Sequence, residues 1–178
     1  MSVAVKILPH YIYEDYCKWE GQWELIEGIP YAMSPMPVPK HQLIAAGISS
    51  EFRIERKKCR RCNVYQPIDY KVKNDTILQP DVIIVCGTVE KQFLDFPPAL
   101  VVEILSPSTA LKDRHTKFEI YEGQQIKYYL IISPGEEEVE IYAIEDNIYQ
   151  LKQIGRDFTY TFSFEADCTA TIDFKQIW

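Results

Sequence analysis

Two carboxylates stand where a carboxylate is costly. Gln79-Pro80-Asp81-Val82-Ile83-Ile84-Val85 sets Asp81 at the head of an apolar run, and Ala99-Leu100-Val101-Val102-Glu103-Ile104-Leu105-Ser106 carries Glu103 inside a second one. An ionised carboxylate in such a strand needs a cation or hydrogen-bond donors to offset its lost hydration. Two of them brought to one spot repel by about 4 kcal/mol at 4 Å and an effective dielectric near 20, so the pair calls for positive charge. A Mg²⁺-like ion is the simplest partner, since it prefers carboxylate oxygens and keeps several waters. Such an ion can acidify a bound water into a nucleophile and neutralise charge on a scissile phosphate. Lys117 follows on the next charged, amphipathic stretch, where it could orient that water or stabilise developing negative charge. Asp113, four residues earlier, shares its helix face, and the plainest reading of that pair is an exposed i,i+4 ion pair.

The elements that must position these groups are short. Both apolar runs are β-branched, bounded by Pro, Gly and Ser, and read as buried strands of one sheet. Ser108 and Thr109 suit the N-cap of a helix running to about Tyr121 and closed at Gly123. Upstream, Tyr11–Trp19 places Ile12, Tyr16 and Trp19 on one face of a short helix. Trp23-Glu24-Leu25-Ile26-Glu27-Gly28-Ile29-Pro30-Tyr31-Ala32-Met33-Ser34 reads as two short strands hinged at Glu27-Gly28, which makes Glu27 a turn carboxylate at a strand end. Pro35, Pro37 and Pro39 stiffen the approach to the longest helical pattern, His41–Cys59, where Ile44, Ile48 and Phe52, with Leu43 and Gly47 beside them, form the core face. Downstream, Asn63–Val72 is extended and interrupted by Pro67, and Ile126–Ser133 is another buried strand. Glu138–Ile144 and Asn147–Ile154 form a hairpin, two more short strands follow, and Lys175–Trp178 caps the end. Strands outnumber helices.

At 178 residues the chain is the size of one domain with an ordinary core, and its composition is that of a folded soluble protein. The net charge of −7 gives no overall field for nucleic acid, so any such contact needs a local basic patch. One exists: Arg53–Arg61 carries six basic residues against the single Glu55, with Arg53, Arg56, Lys57, Arg60 and Arg61 among them. Its ordinary role is a solvated helix end that suits the macrodipole, and it is also the cluster able to meet phosphates. The N-terminal stretch lacks the pattern of a signal peptide and no apolar run is long enough to span a bilayer, which points to a cytoplasmic protein without membrane attachment. Five cysteines without a secretory signal argue against a disulfide framework. Cys59-Arg60-Arg61-Cys62 is a lone C-x-x-C, Cys17, Cys86 and Cys168 are scattered, and reduced, unliganded thiols are the expectation.

The ordered series Glu24-Leu25-Ile26-Glu27-Gly28, Met33-Ser34-Pro35, His41-Gln42, Gln79-Pro80-Asp81, Val102-Glu103-Ile104-Leu105-Ser106-Pro107-Ser108-Thr109, Asp113, Lys117 and Tyr121 resembles the Uma-type restriction endonucleases, a branch of the PD-(D/E)XK nuclease superfamily. The likeness runs from about Trp23 to Leu151. It implies an α/β (α+β) restriction-endonuclease-like core, a mixed β-sheet flanked by helices, with further β-hairpins. It also implies a site in which Asp81, Glu103, Glu27 and the backbone carbonyl of Ile104 hold Mg²⁺ or Mn²⁺. The superfamily places its lysine two residues after the glutamate, where this chain has Leu105. The resemblance implies that Lys117 takes that role from the following helix, and that His41 serves hydrogen bonding at the start of the long helix.

Other chemistries fit less well. There is no G-x-S-x-G elbow and no phosphate-binding glycine loop. The expectation is a Mg²⁺-dependent endonuclease that hydrolyses DNA phosphodiester bonds. The alternatives are a nuclease-fold binding or regulatory module with little catalysis, and a hydrolase of small phosphodiesters that would not need the basic run. The acidic net charge favours the binding module, or a homodimer that gathers the basic helices on one face.

Overall fold

A computed structural model describes residues 8–33, 38–58, 60–107, 109–165 and 168–178. Its centre is a six-stranded mixed sheet. In spatial order it runs β10 (Ile148–Gly155), β9 (Glu138–Glu145), β8 (Tyr128–Ser133), β7 (Leu100–Ile104), β6 (Val82–Cys86) and β3 (Cys62–Tyr65). Only β7 and β8 pair in parallel; every other neighbour is antiparallel. The parallel pair needs a crossover, and the chain between Ile104 and Tyr128 supplies it as helix.

Alternation along β7 assigns its two faces. Leu100, Val102 and Ile104 join the core that receives Ile44, Ile48 and Phe52 of helix α2 (Pro39–Glu55) and the hairpin β11 (Thr159–Ser163)–β12 (Thr169–Asp173). Val101 joins the opposite core, built with Ile83, Val85, Tyr121, Tyr129 and Ile131. Leu43, expected beside the core face of α2, is exposed instead, because the Ile44-Ile48-Phe52 stripe has turned it outward. Gly47 is needed on α2 for contact: a Cβ there would lie 3.0 Å from the Cα of Ile177, in the short 3₁₀ turn that closes the chain.

A second, four-stranded sheet runs β2 (Ile29–Ala32), β1 (Trp23–Ile26), β5 (Thr76–Leu78) and β4 (Tyr70–Lys73). Glu27 and Gly28 both have positive φ, 50° and 76°, the backbone of a tight two-residue hairpin turn between β1 and β2. The first helix is a single turn, α1 (Tyr13–Tyr16), shorter than the Tyr11–Trp19 pattern suggested.

The crossover is not the continuous helix expected. Helix α3 (Ala110–Lys112) passes into a π-helical turn, Asp113–Lys117, and then into α4 (Phe118–Gly123). Thr109 makes no side-chain cap to this helix; its Oγ1 lies 3.0 Å from Ser106 Oγ. Ser108 is outside the described residues. No helix among the described residues is long and apolar enough to cross a membrane.

Candidate active site

Antiparallel pairing sets Val82 opposite Val102, so one step further along the strands Asp81 meets Glu103. Asp81 Oδ2 accepts the backbone N–H of Ile104 at 2.8 Å, which fixes the carboxylate across the end of the strand pair. The two isolated acids of the sequence therefore come together at one sheet end.

The π turn brings the lysine. It sets the face on which Lys117 emerges, and such insertions recur at functional sites. Tyr129 on β8 donates its hydroxyl to the carbonyl of Asp113 at 2.9 Å and holds the turn in place. Lys117 Nζ then lies 2.9 Å from Glu103 Oε1, 2.7 Å from Glu24 Oε1 and 3.3 Å from Asp113 Oδ1, and is only 1% exposed. The Asp113 contact is an ion pair without hydrogen-bond geometry. The exposed surface pair expected for Asp113 and Lys117 is thus overturned, because the π turn directs both side chains inward onto the sheet. Tyr121 donates to Glu103 Oε1 at 2.6 Å.

Glu27 does not join this group. It is exposed at the β1–β2 turn, where its backbone N–H donates to Thr76 Oγ1 at 3.2 Å. Its expected place at the centre is taken by Glu24, three residues earlier, because Glu24 lies on strand β1 rather than on the turn. Glu24 is fully buried, accepts the backbone N–H of Gln79 at 3.0 Å, and pairs with both Lys112 and Lys117. The signal was present in Trp23-Glu24-Leu25-Ile26, a carboxylate inside an apolar strand like the other two.

The electrostatics follow from three carboxylates sharing one buried ammonium. Burial pushes the Glu103 carboxyl well up; Lys117 opposes this, while Asp113, Asp81 and Glu24 add to it. Burial likewise raises Asp113. Burial also works against an ionised Glu24, but Lys117 and Lys112 outweigh it and hold that carboxyl below its ordinary value. Burial would neutralise Lys117, yet Glu103, Glu24 and Asp113 keep its ammonium charged. Within the cluster, therefore, burial disfavours the ionised forms of Glu103 and Asp113 while the Lys117 ammonium favours them.

His41 faces Asp81 from the first turn of α2, its Nε2 3.3 Å from Asp81 Oδ2. Burial depresses the imidazole, but the hydrogen bond and charge of Asp81, with a hydrogen bond to the Ile104 backbone, raise it overall. Asp81 and His41 are the site's opening, 17% and 11% exposed at their side chains against 4% for Glu103.

The donor set suits a hard divalent cation: the oxygens of Asp81 and Glu103, with the Ile104 carbonyl adjacent and a surplus of negative charge around one ammonium. No three His, Cys, Asp or Glu side chains among the described residues already converge as a cage. His41 faces the Asp81 oxygens and Lys117 those of Glu103, so a metal would have to compete with an imidazole and an ammonium.

The basic run lies apart from this centre. Arg53, Arg56, Lys57, Arg60 and Arg61 are all exposed, and the first four line one open concave surface. Twelve residues of α2 separate Arg53 from His41, about 18 Å at 1.5 Å per residue.

The cysteines depart from expectation. Cys62 and Cys86, register partners on β3 and β6, are joined in a disulfide, and Cys168 Sγ lies 3.6 Å from Cys62 Sγ. Strand pairing brings together residues that their spacing in the sequence keeps apart. Cys17 is free and exposed, and Cys59 is outside the described residues.

Comparison with known proteins agrees with this architecture. A crystal structure described as a putative nuclease belonging to DUF820, from Anabaena variabilis, superposes with a TM-score of 0.74 at 16% identity. The match covers 94% of this chain and 97% of that one, and shows a shared fold. The uncharacterized protein slr1290 of Synechocystis is 31% identical over 144 residues, 75% of this chain and 74% of its own length. Residues 13–168 match the Uma2 family, described as "Putative restriction endonuclease", and with that span the chain belongs to the Uma2 family.

Proposed function

We propose that this protein is a divalent-metal-dependent endonuclease that hydrolyses DNA phosphodiester bonds at the Asp81–Glu103 centre. The observation that carries the reading is the buried acid cluster: Glu24, Glu103 and Asp113 converge on Lys117, beside Asp81. A folded core gains nothing from burying a surplus of carboxylates, and an apolar replacement is often as stable or more so. Family membership and the fold support a nuclease over other metal-dependent hydrolases.

Asp81, Glu103 and the Ile104 carbonyl would hold Mg²⁺ or Mn²⁺, which when bound supplies an acidified water and charge neutralisation at the phosphate. Glu24 and Asp113 would then have a distinct task, anchoring Lys117 independently of Glu103. Tyr121, donating to Glu103 Oε1 at 2.6 Å, fixes the carboxylate's orientation. The Lys117 ammonium contributes fixed positive charge where the phosphate gains negative charge. His41, at the mouth, is placed to donate to a phosphate oxygen or to take a proton from the site's water. Glu27 has no part in this account. The exposed arginines and lysines from Arg53 to Arg61 would meet backbone phosphates of the duplex some five base pairs away, at roughly 3.4 Å of rise per pair over the 18 Å span. A homodimer would bring two such surfaces to one duplex.

One observation favours a second reading: Glu103 and Asp81 already have partners in the Lys117 ammonium and the His41 imidazole. A nuclease fold retained for binding would keep that pairing and take up no metal. Single-turnover cleavage of supercoiled plasmid with Mg²⁺ or Mn²⁺ separates the two. Wild type should nick, and Asp81→Ala and Glu103→Gln should not. A folded wild type inert with both metals while it still binds DNA would establish the second reading.

A further inference from the structure

We propose, on the basis of the nuclease reading above, that Lys112 touches the DNA, its ammonium binding a backbone phosphate beside the cut while Lys117 stays enclosed. The two lysines share the Glu24 carboxylate and differ in access. Lys117 is 1% exposed and already ringed by Glu103, Glu24 and Asp113. A phosphate oxygen could reach it only by displacing a carboxylate, which would leave a buried charge without its partner. Lys117 therefore acts on a bound strand through its field and not by contact.

Lys112 ends α3, one residue before the π turn, and its side chain is 16% exposed. It pairs with Glu24 through Oε2, whereas Lys117 and the Gln79 backbone N–H both hold Oε1. Glu24 thus keeps an ammonium and an amide when Lys112 turns away, so the move orphans no buried carboxylate. The Lys112 ammonium also lies 5.4 Å from the ring centroid of Tyr31 on β2, a residue 40% exposed. Such a contact holds a cation near the surface without neutralising it. The contacts run in a chain from Lys112 through Glu24 and Lys117 to Glu103. Its outer end is a cation within reach of solvent, and its inner end is the acid proposed to hold the metal.

Arg114, the other cation on this crossover with an exposed edge, is less suited. Its guanidinium is occupied by Glu140 at 2.6 Å and by Ser133 Oγ at 3.2 Å. Glu140 is buried, and drawing Arg114 away would leave that carboxylate with the Tyr142 hydroxyl alone. A lysine also fits the task. Its compact charge on a four-carbon stem can meet a phosphate from several directions, as a contact to the backbone of any DNA sequence requires.

Binding can be measured apart from cleavage by titrating a fluorescein-labelled DNA duplex with the full chain in EDTA over a range of NaCl. Lys112→Met should lower the slope of log affinity against log salt by about 0.9, and the affinity at about 0.1 M salt by roughly eightfold, the share of one phosphate contact. Lys112→Arg should keep both near wild type. If Lys112→Met does not fold, reductive methylation of wild type decides. Lys112 should be modified in free protein and protected by bound duplex, with Lys117 unmodified in both. No binding by wild type, an unchanged slope in Lys112→Met, an equal loss in Lys112→Arg, or equal labelling of Lys112 with and without DNA would overturn the contact. With Mg²⁺ added, Lys112→Met should raise KM and leave the saturating cleavage rate near wild type, the mark of a lost binding contact. A wild type that binds through Lys112 yet never cuts would sink the nuclease reading and leave the phosphate contact standing.

Discussion

The two faces of the central sheet are held by different physics. On the α2 face, Leu100, Val102 and Ile104 of β7 meet Ile44, Ile48, Phe52 and Phe162 in an apolar core. On the other face the same strand presents Glu103, and within a few ångströms lie Lys117, Glu24, Asp113 and the hydroxyl of Tyr121. The first face gains stability from every methylene it buries. The second spends part of that gain on charges removed from water, and its pairing recovers only some of the loss. Where one sheet carries both kinds of face, the charged one marks where function has been given precedence over stability.

The contrast can be broken at either face. Phe162→Ala should destabilise the protein by about 3–5 kcal/mol through lost transfer energy and a cavity. Urea unfolding should give nearly the same loss at pH 5 and pH 7, because no titrating group is involved. Lys117→Met should cost about 3 kcal/mol at pH 7, since it leaves carboxylates buried without their cation. That cost should shrink in acid as Glu103 and Asp113 protonate. A pH-independent loss in Lys117→Met would show that the lysine acts through packing alone.

The wild-type pH profile carries the same signs. Glu103 and Asp113 have folded values above their unfolded ones. Their contribution is therefore complete below the ordinary carboxylate range, about 4, and is lost as pH rises through the raised values. Glu24, held low, works in the opposite sense: its contribution is present above that range and lost as pH falls through its folded value. His41, raised by Asp81, adds stability below its unfolded pKa of about 6.5 that disappears as pH climbs through the folded value. Asp81→Asn should flatten the stability profile above about 6.5, by a smaller amount than either core substitution. An unaltered profile would remove the His41–Asp81 contact from the account.

Tyr121→Phe removes one hydrogen bond to a charged group and should cost about 1–2 kcal/mol. The smallest effect belongs to Glu27. Glu27→Gln should leave stability and cleavage unchanged, whereas Glu24→Gln should weaken both by loosening Lys117. Reversed outcomes for these two would restore Glu27 to the centre.

The acids on strands were legible because burial of charge breaks an apolar pattern, and Asp81 and Glu103 meet as that argument requires. The spacing of Ile44, Ile48 and Phe52 gave the packed face of α2, and the turn at Asp146-Asn147 gave the β9–β10 hairpin. Glu24 obeyed the same rule as Asp81 and Glu103, yet Glu27, on the turn beside it, was the acid the resemblance singled out. The π turn had no signature, since a regular helix from Ala110 to Gly123 satisfies the same pattern of residue types; only the packed result shows Lys117 facing inward. The meeting of Cys62, Cys86 and Cys168 depends on strand register and on the return of the C-terminal hairpin, which are non-local.

Metal binding at the acidic centre tests the central claim most directly. Calorimetric titration of the protein with Mn²⁺, repeated in two buffers of different ionisation enthalpy, reads both affinity and proton release. The account predicts binding that strengthens from pH 5 to pH 8 and releases protons, because the ion favours the ionised form of Glu103, which burial disfavours. It also predicts that Asp81→Ala abolishes the heat. No binding in folded wild type, or equal binding in Asp81→Ala, would contradict it.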